Sequence, residues 1–75
     1  MITLNKIDIG KKCKILKLDV NEIILRRFLD LGLIPGAIVE KVLVSPFGSI
    51  CAYYIMGTII AIRDSDVEGV WVKYE

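Results

Sequence analysis

The segment from Val42 to Ile62 contains no charged residue, and this feature most constrains how the chain can fold. Its length approaches the ~20 apolar residues that a helix needs to cross a bilayer. Turn signals interrupt it, however, at Pro46 and Gly48 and again at Gly57. The residues between these turns are mostly β-branched or aromatic, which is typical of strands. They are Ile50, Tyr53, Tyr54, Ile55, Ile59, Ile60 and Ile62. The segment therefore predicts successive strands of a compact sheet. The same segment would favour aggregation if it were exposed during folding.

The whole chain is short, apolar and nearly neutral. Its 75 residues are enough for a single domain, spanning residues 1–75. Apolar residues make up 55% of the sequence, above the roughly 45–50% of an ordinary soluble domain, so a dense core is available. The net charge of +1 gives no general attraction to nucleic acid or to anionic lipid.

One helix is predicted between Asp19 and Gly32. Asp19 is the expected N-cap, and Glu22 three residues later would complete a capping box. Gly32 suits the left-handed position after the helix, and Pro35–Gly36 suits the two central positions of a type II turn. The apolar stripe of this helix consists of Ile24, Leu25, Phe28, Leu29 and Leu31.

Strands are expected before and after the helix. The predicted strands are 11–18, 37–44, 50–56, 58–63 and 69–74. An N-terminal arm precedes them, and its Leu4 and Ile7 are expected to pack on the body of the domain. Residues 64–67 are expected to form a single turn. Alternation directs Cys13 and Ile15 inward in the first strand, and Val70 and Val72 inward in the last. Sequential hairpins in so small a chain favour a bent sheet that closes into a small barrel. We expect closure to remove exposed sheet edges.

No constellation of residues points to catalysis or to a cofactor. The chain has no histidine, the commonest general base and a common metal ligand. Its two cysteines, Cys13 and Cys51, lie within apolar strand patterns, which would raise their pKa rather than activate them. No secretory signal is visible at the N-terminus. We therefore expect a non-enzymatic domain in a reducing, cytoplasmic setting.

The acidic residues Asp64, Asp66 and Glu68 recur at every second position and are the candidate metal ligands. Alternating carboxylates can bind a hard cation, although the central glycine and distal glutamate of an EF-hand are missing. The simpler interpretation is a solvated turn capped by Asp64. A metal-sensing regulatory module thus remains an alternative.

A nucleic-acid-binding barrel is a second alternative. Basic residues cluster near the first strand, and aromatic residues could stack on bases. These residues are Lys11, Lys12, Lys14, Lys17, Tyr53, Tyr54, Trp71 and Tyr74. The net charge of +1 argues against this function, and the same residues equally suit a solvated face and a core rim.

Three segments together resemble the FeoA family. Residues 27–36 (RFLDLGLIPG) are similar to the family signature R-L-x-x-L-G-L-x-P-G. Residues 45–49 (SPFGS) stand at its Pro-x-Gly hairpin, and residues 56–63 (MGTIIAIR) resemble its G-x-x-I-A-L-R segment. With Leu4 and Gly10, the resemblance covers nearly the whole chain.

The resemblance implies a small SH3-like barrel of about five strands with one α-helix inserted after the first strand. It also implies a cytoplasmic accessory protein that binds FeoB, a membrane ferrous-iron transporter with a G-protein domain, and modulates its assembly or nucleotide cycle. No catalytic motif accompanies it. Apolar loop residues often mark contact surfaces, and Arg26 and Arg27 are predicted on the solvent side of the helix. We therefore expect the partner to contact Arg26, Arg27, Leu33 and Phe47. The alternative for the loop is that Leu33 and Ile34 fold back under the end of the helix.

Overall fold

In the computed structural model, which describes residues 1–75, six strands and one α-helix form the domain. The strands are β1 (Ile2–Thr3), β2 (Lys12–Leu18), β3 (Ile38–Val44), β4 (Ile50–Ile55), β5 (Thr58–Arg63) and β6 (Val70–Tyr74). Helix α1 (Glu22–Leu31) follows β2, and single 3-10 turns occupy Leu4–Lys6 and Asp64–Val67. The charge-free segment thus forms the end of β3, all of β4 and most of β5. No helix has the length and apolar character required to cross a membrane.

The six strands form one antiparallel sheet in the order β1-β6-β2-β3-β4-β5. Strand β6 pairs with β2, so the last strand returns to the first long one and curls the sheet into a small barrel. Two register shifts, between Ile15 and Lys17 and between Lys41 and Leu43, add the local twist that this curvature needs. The prediction that closure removes the sheet edges is wrong, because β1 and β5 stay unpaired on their outer sides.

The inner face of the barrel carries the core, and the predicted strand faces are confirmed. Cys13, Ile15, Val70 and Val72 are all buried. The other buried apolar residues are Leu4, Ile7, Phe28, Leu33, Val39, Cys51, Tyr53, Ile55, Ile62 and Val67. Tyr53, at the centre of β4, is the largest fully buried side chain.

The N-terminal arm packs on the barrel as predicted, but it also contributes β1. Ile2 and Thr3 pair with Val72 and Trp71 of β6. Two side chains from the sheet then hold the following turn. The Tyr53 hydroxyl donates to the Leu4 carbonyl (3.4 Å), and the buried Lys41 amine donates to the Asn5 carbonyl (3.0 Å).

The start of α1 differs from the prediction, whereas its end agrees. The N-cap is Asn21, whose side-chain oxygen accepts from the Ile24 N–H (2.9 Å). Asp19 lies two residues before this cap, and its N–H donates to the Gly69 carbonyl (2.7 Å), which keeps Asp19 in an extension of the β2–β6 pairing.

At the C-terminus Gly32 adopts φ +94°, with its N–H on the Leu29 carbonyl and the Leu33 N–H on the Phe28 carbonyl, which is a Schellman motif. The Pro35–Gly36 turn is also confirmed. Gly36 has φ +92°, and the Ala37 N–H closes the turn on the Ile34 carbonyl (3.0 Å).

Candidate partner-binding surface

The tip of the β3–β4 hairpin presents the most exposed apolar side chain of the chain. Phe47 is 95% exposed, and Leu43 and Ile50 on the flanking strands are also exposed. An aromatic side chain in water gains the most from being covered, because aromatic residues bury a large apolar area. This tip is therefore the candidate apolar contact of the chain.

Ser45 gives the tip a defined shape. Its N–H donates to the Ile50 carbonyl (2.8 Å), its carbonyl accepts from the Gly48 N–H (2.9 Å), and its hydroxyl accepts from the Ile50 N–H (3.1 Å). These three bonds close the turn on both sides of Phe47. The ring is consequently held outward by a hydrogen-bonded loop, which lowers the entropy lost when a partner covers it.

The two predicted arginines lie on the exposed side of α1. Arg26 forms an ion pair with Glu22 one turn earlier (3.6 Å), and both side chains are largely exposed. Arg27 is exposed and takes part in no ion pair. Because an exposed pair of this kind contributes little to stability, both guanidinium groups are available to a partner.

Leu33 does not offer a contact surface. Its side chain is fully buried, since the Schellman motif turns the chain back and packs Leu33 with Phe28 in the core. The expectation that Leu33 is an exposed contact is therefore wrong. Its neighbour Ile34 is the exposed apolar residue of this loop.

The helix end and the Phe47 tip occupy different parts of the barrel. Gly32 packs against Met56, in the turn that follows β4, whereas Phe47 precedes β4. The six residues of β4 separate these two turns by roughly 20 Å. The tip and the C-terminal end of α1 therefore do not form one compact patch.

The three candidate metal ligands do not converge. Asp66 accepts from the Arg63 guanidinium (3.2 Å), and Asp64 accepts from the Cys51 thiol (3.7 Å). Glu68 lies at the end of the 3-10 turn and is exposed. No group of three or more acidic or cysteine side chains is arranged to hold a metal ion.

Both cysteines lie in the core of the domain. Cys13 and Cys51 are buried and unpaired. Burial, with a smaller contribution from the negative charge of Glu75, raises the pKa of the Cys13 thiol to about 11. A thiol with that pKa is almost entirely protonated at neutral pH and is a poor nucleophile. Burial likewise raises the pKa of the Tyr53 hydroxyl far above its ordinary value.

The residues considered for nucleic-acid binding do not form one continuous surface. Tyr53 is in the core and cannot stack on a base. Lys11 and Lys12 line a depression of about 500 Å³ that also contains Asp8 and Glu75. Carboxylates of this kind repel phosphate, so the depression is not the uniformly positive groove that tracks a nucleic-acid backbone.

An apolar outer face was missed at the sequence level. On the outside of β3, β4 and β5, cross-strand rows place Leu43 beside Ala52 and Ala61, and Tyr54 beside Ile59. Leu43 and Ile59 are each 63% exposed. The available signal was the absence of charge on either face between Val42 and Ile62, because a half-buried antiparallel strand normally alternates apolar and polar residues.

The family follows from a sequence comparison. The family model described as the FeoA domain matches residues 2–74. The chain belongs to the FeoA family. This family is associated with ferrous iron transport, and its members include SH3-like domains. A comparison with curated protein sequences found no match.

Thirteen chains of solved structures match this FeoA domain. The FeoA protein of Chlorobium tepidum is 23% identical, with a TM-score of 0.91 over 97% of this chain and 70% of that one. The zinc-complexed FeoA of Stenotrophomonas maltophilia, described as an SH3 domain protein, is 26% identical, with a TM-score of 0.79 over 97% and 91%. A manganese-dependent transcriptional repressor is 15% identical, with a TM-score of 0.89 over 99% of this chain and 41% of the repressor. The shared fold is thus found both in FeoA proteins and in part of a longer repressor.

Proposed function

We propose that this FeoA domain is a non-catalytic cytoplasmic accessory of ferrous iron transport, which binds the cytoplasmic part of the transporter FeoB and modulates its assembly or nucleotide cycle. Family membership supports the pathway, and the Stenotrophomonas maltophilia relative is described as a candidate activating factor of ferrous iron transport. The observation that carries the binding role is Phe47, an almost fully exposed aromatic ring on a hydrogen-bonded hairpin tip.

The hairpin tip supplies the apolar part of the proposed contact. Phe47 inserts into a pocket of the partner, and Leu43 and Ile50 cover the surface around that pocket. A central aromatic anchor with apolar neighbours is the usual composition of an interface hot spot. Arg26 and Arg27 supply positive charge from α1, which would favour acidic groups on the transporter and speed encounter at low salt.

A titration of the ¹⁵N-labelled chain with the soluble G-protein domain of the cognate FeoB tests this proposal. We expect localised amide shifts around residues 45–50. Phe47→Ala should weaken binding at least ~10-fold, the size of effect expected at a hot spot. Ile9→Ala, which also removes an exposed apolar side chain, is the matched control and should bind as the wild type does.

The remaining variants separate the two parts of the contact. Arg26→Glu with Arg27→Glu should lower the association rate and reduce its salt dependence. The GTP hydrolysis rate of the G-protein domain, measured with and without the chain, reports on the nucleotide cycle. Absence of shifts with both the G-protein domain and detergent-solubilised full-length FeoB would overturn the proposal.

A further inference from the structure

Strand β5 leaves one edge of the sheet open, and nothing in its sequence protects that edge. It ends the strand order, and its Thr58–Ile62 portion contains no charge and no proline. Its pairing with β4 runs through six consecutive residue pairs without a bulge. Natural edge strands usually carry charges, prolines or bulges that prevent further pairing. The other edge strand, β1, is only two residues long.

The turn between β4 and β5 determines which backbone groups face the open edge. Ile55 and Thr58 flank the two-residue turn Met56–Gly57, in which both φ angles are positive (+49° and +84°). Residues flanking a two-residue hairpin turn of this kind exchange both of their backbone hydrogen bonds. The alternation then directs the N–H and C=O groups of Ile59 and Ala61 away from β4 and toward the open edge.

We propose that β5 pairs antiparallel with β5 of a second copy of the chain, in a register centred on Ile60, and so forms a two-fold symmetric dimer. This register places Ile59 opposite Ala61 of the partner subunit, which lets the outward backbone groups of both residues bond across the axis. The large Ile59 side chain then lies against the small side chain of the partner's Ala61 on the outer face. The row of Tyr54 and Ile59 continues into the partner's Ala61 and the partner's Ala52.

Neighbouring registers are less favourable. Pairing requires that outward-directed groups meet, so the register can shift only in steps of two residues. A shift in one direction places the Arg63 side chain opposite Ile59 of the partner subunit. A shift in the other direction uses Gly57, which already belongs to the turn, and shortens the ladder. The Ile60-centred register is therefore the one that uses the whole Thr58–Ile62 ladder and keeps Arg63 out of the pairing.

The charges of the chain permit this pairing with a second copy. Arg63, the nearest charged residue, already donates to Asp66 (3.2 Å). In the proposed register the two copies of Arg63 lie at opposite ends of the ladder, about 20 Å apart, which exceeds the ~8 Å screening length at physiological salt. A net charge of +1 adds little further repulsion. A charged peptide would instead leave its charges unpaired against this uncharged edge.

The proposed dimer is small, so its concentration dependence can be measured. A ladder of five residues per copy covers less than the ~800 Å² per partner of a standard interface, and we expect dissociation constants of ~10–1000 μM. The average mass in sedimentation should rise from 8.4 kDa toward twice that value as the chain is concentrated. Hydrogen exchange should slow at the Ile59 and Ala61 amides, while the Ile60 amide, already bonded to β4, should not change.

Two lysine variants of equal starting exposure locate the contact. Ile59→Lys puts a charge on the open edge, and Leu43→Lys puts one on the same outer face but on β3; both wild-type side chains are 63% exposed. We expect Ile59→Lys to abolish association and Leu43→Lys to retain it. An unchanged monomer mass at ~1 mM, or equal loss in both variants, would overturn edge pairing. The experiment uses the chain alone, so its failure would leave the proposed binding of FeoB untouched.

Discussion

Gly69→Ala separates steric from conformational reasons for keeping a glycine. Of the six glycines, Gly69 is the one whose φ is not positive, so backbone preference alone would rank it as the most tolerant of substitution. A Cβ built there would nevertheless overlap the Asp19 carbonyl oxygen, lie 2.8 Å from the Asp19 carbonyl carbon and lie 3.2 Å from the Val20 side chain. Ordinary carbon–carbon contacts begin near 3.5 Å, so the two backbones must separate.

The cost of that separation can be worked out from the contacts. The hydrogen bond from the Asp19 N–H to the Gly69 carbonyl would weaken, which costs ~1 kcal/mol, and overpacking beside the buried Val67 and Val70 adds ~1–3 kcal/mol. We expect a loss of about 3 kcal/mol in the free energy of unfolding, or roughly 12–24 °C in Tm for a domain of this size.

Thermal and urea unfolding of Gly69→Ala and Gly10→Ala measure the difference. Gly10 has φ +85° with open space around it, so alanine there meets only the left-handed strain of ~1–2 kcal/mol. A Gly10→Ala variant that is as unstable as Gly69→Ala, or more so, would refute the steric argument.

Two further predictions concern the helix cap and the buried thiol. Because Asn21 caps α1, Asn21→Ala should lower the free energy of unfolding by ~1 kcal/mol in urea titrations. Asp19→Ala should change it by less than half as much. A larger loss for Asp19→Ala than for Asn21→Ala would indicate that Asp19 is the cap. Burial raises the pKa of the Cys13 thiol to about 11 in the folded chain. Between pH 9 and pH 11 the unfolded state therefore releases this proton more readily than the folded state, and stability should fall as the pH rises, by ~1.4 kcal/mol at pH 10. Cys13→Ala should lack that decline, and equal pH profiles for the two proteins would contradict it.

Features set by local chemistry were predictable from the sequence. Gly32, Pro35–Gly36 and Gly57 mark the ends of elements, and the strand boundaries agree within a residue or two. Each of these signals acts through φ preferences or turn hydrogen bonds among close neighbours in the chain.

Features set by distant partners were not predictable. Strand β1 exists because Ile2 and Thr3 pair with β6. Asp19 stays in the sheet because its N–H bonds to the distant Gly69 carbonyl, and the helix starts later, after Asn21. The position of β5 at the edge of the sheet could not be predicted, because a strand with apolar residues on both faces is more typical of a sheet interior.

The loop residues show the same distinction. Leu33 and Phe47 are both apolar loop residues, but only Leu33 follows a Schellman motif, which directs the next apolar side chain back to the helix. That rule could have separated them at the sequence level, because it buries Leu33 and leaves Phe47 on the surface.

The position of β6 has a consequence for how the protein is made. This strand is the last in sequence, yet it lies between β1 and β2 inside the sheet. A ribosome must therefore deliver residues 70–74 before the sheet is complete, and β4 and the uncharged Thr58–Ile62 part of β5 emerge earlier with no complete sheet to join. Contacts between such distant parts of a chain slow folding and prolong the exposure of apolar segments. We therefore expect the apolar residues of β4 and β5 to stay exposed until the final strand is available.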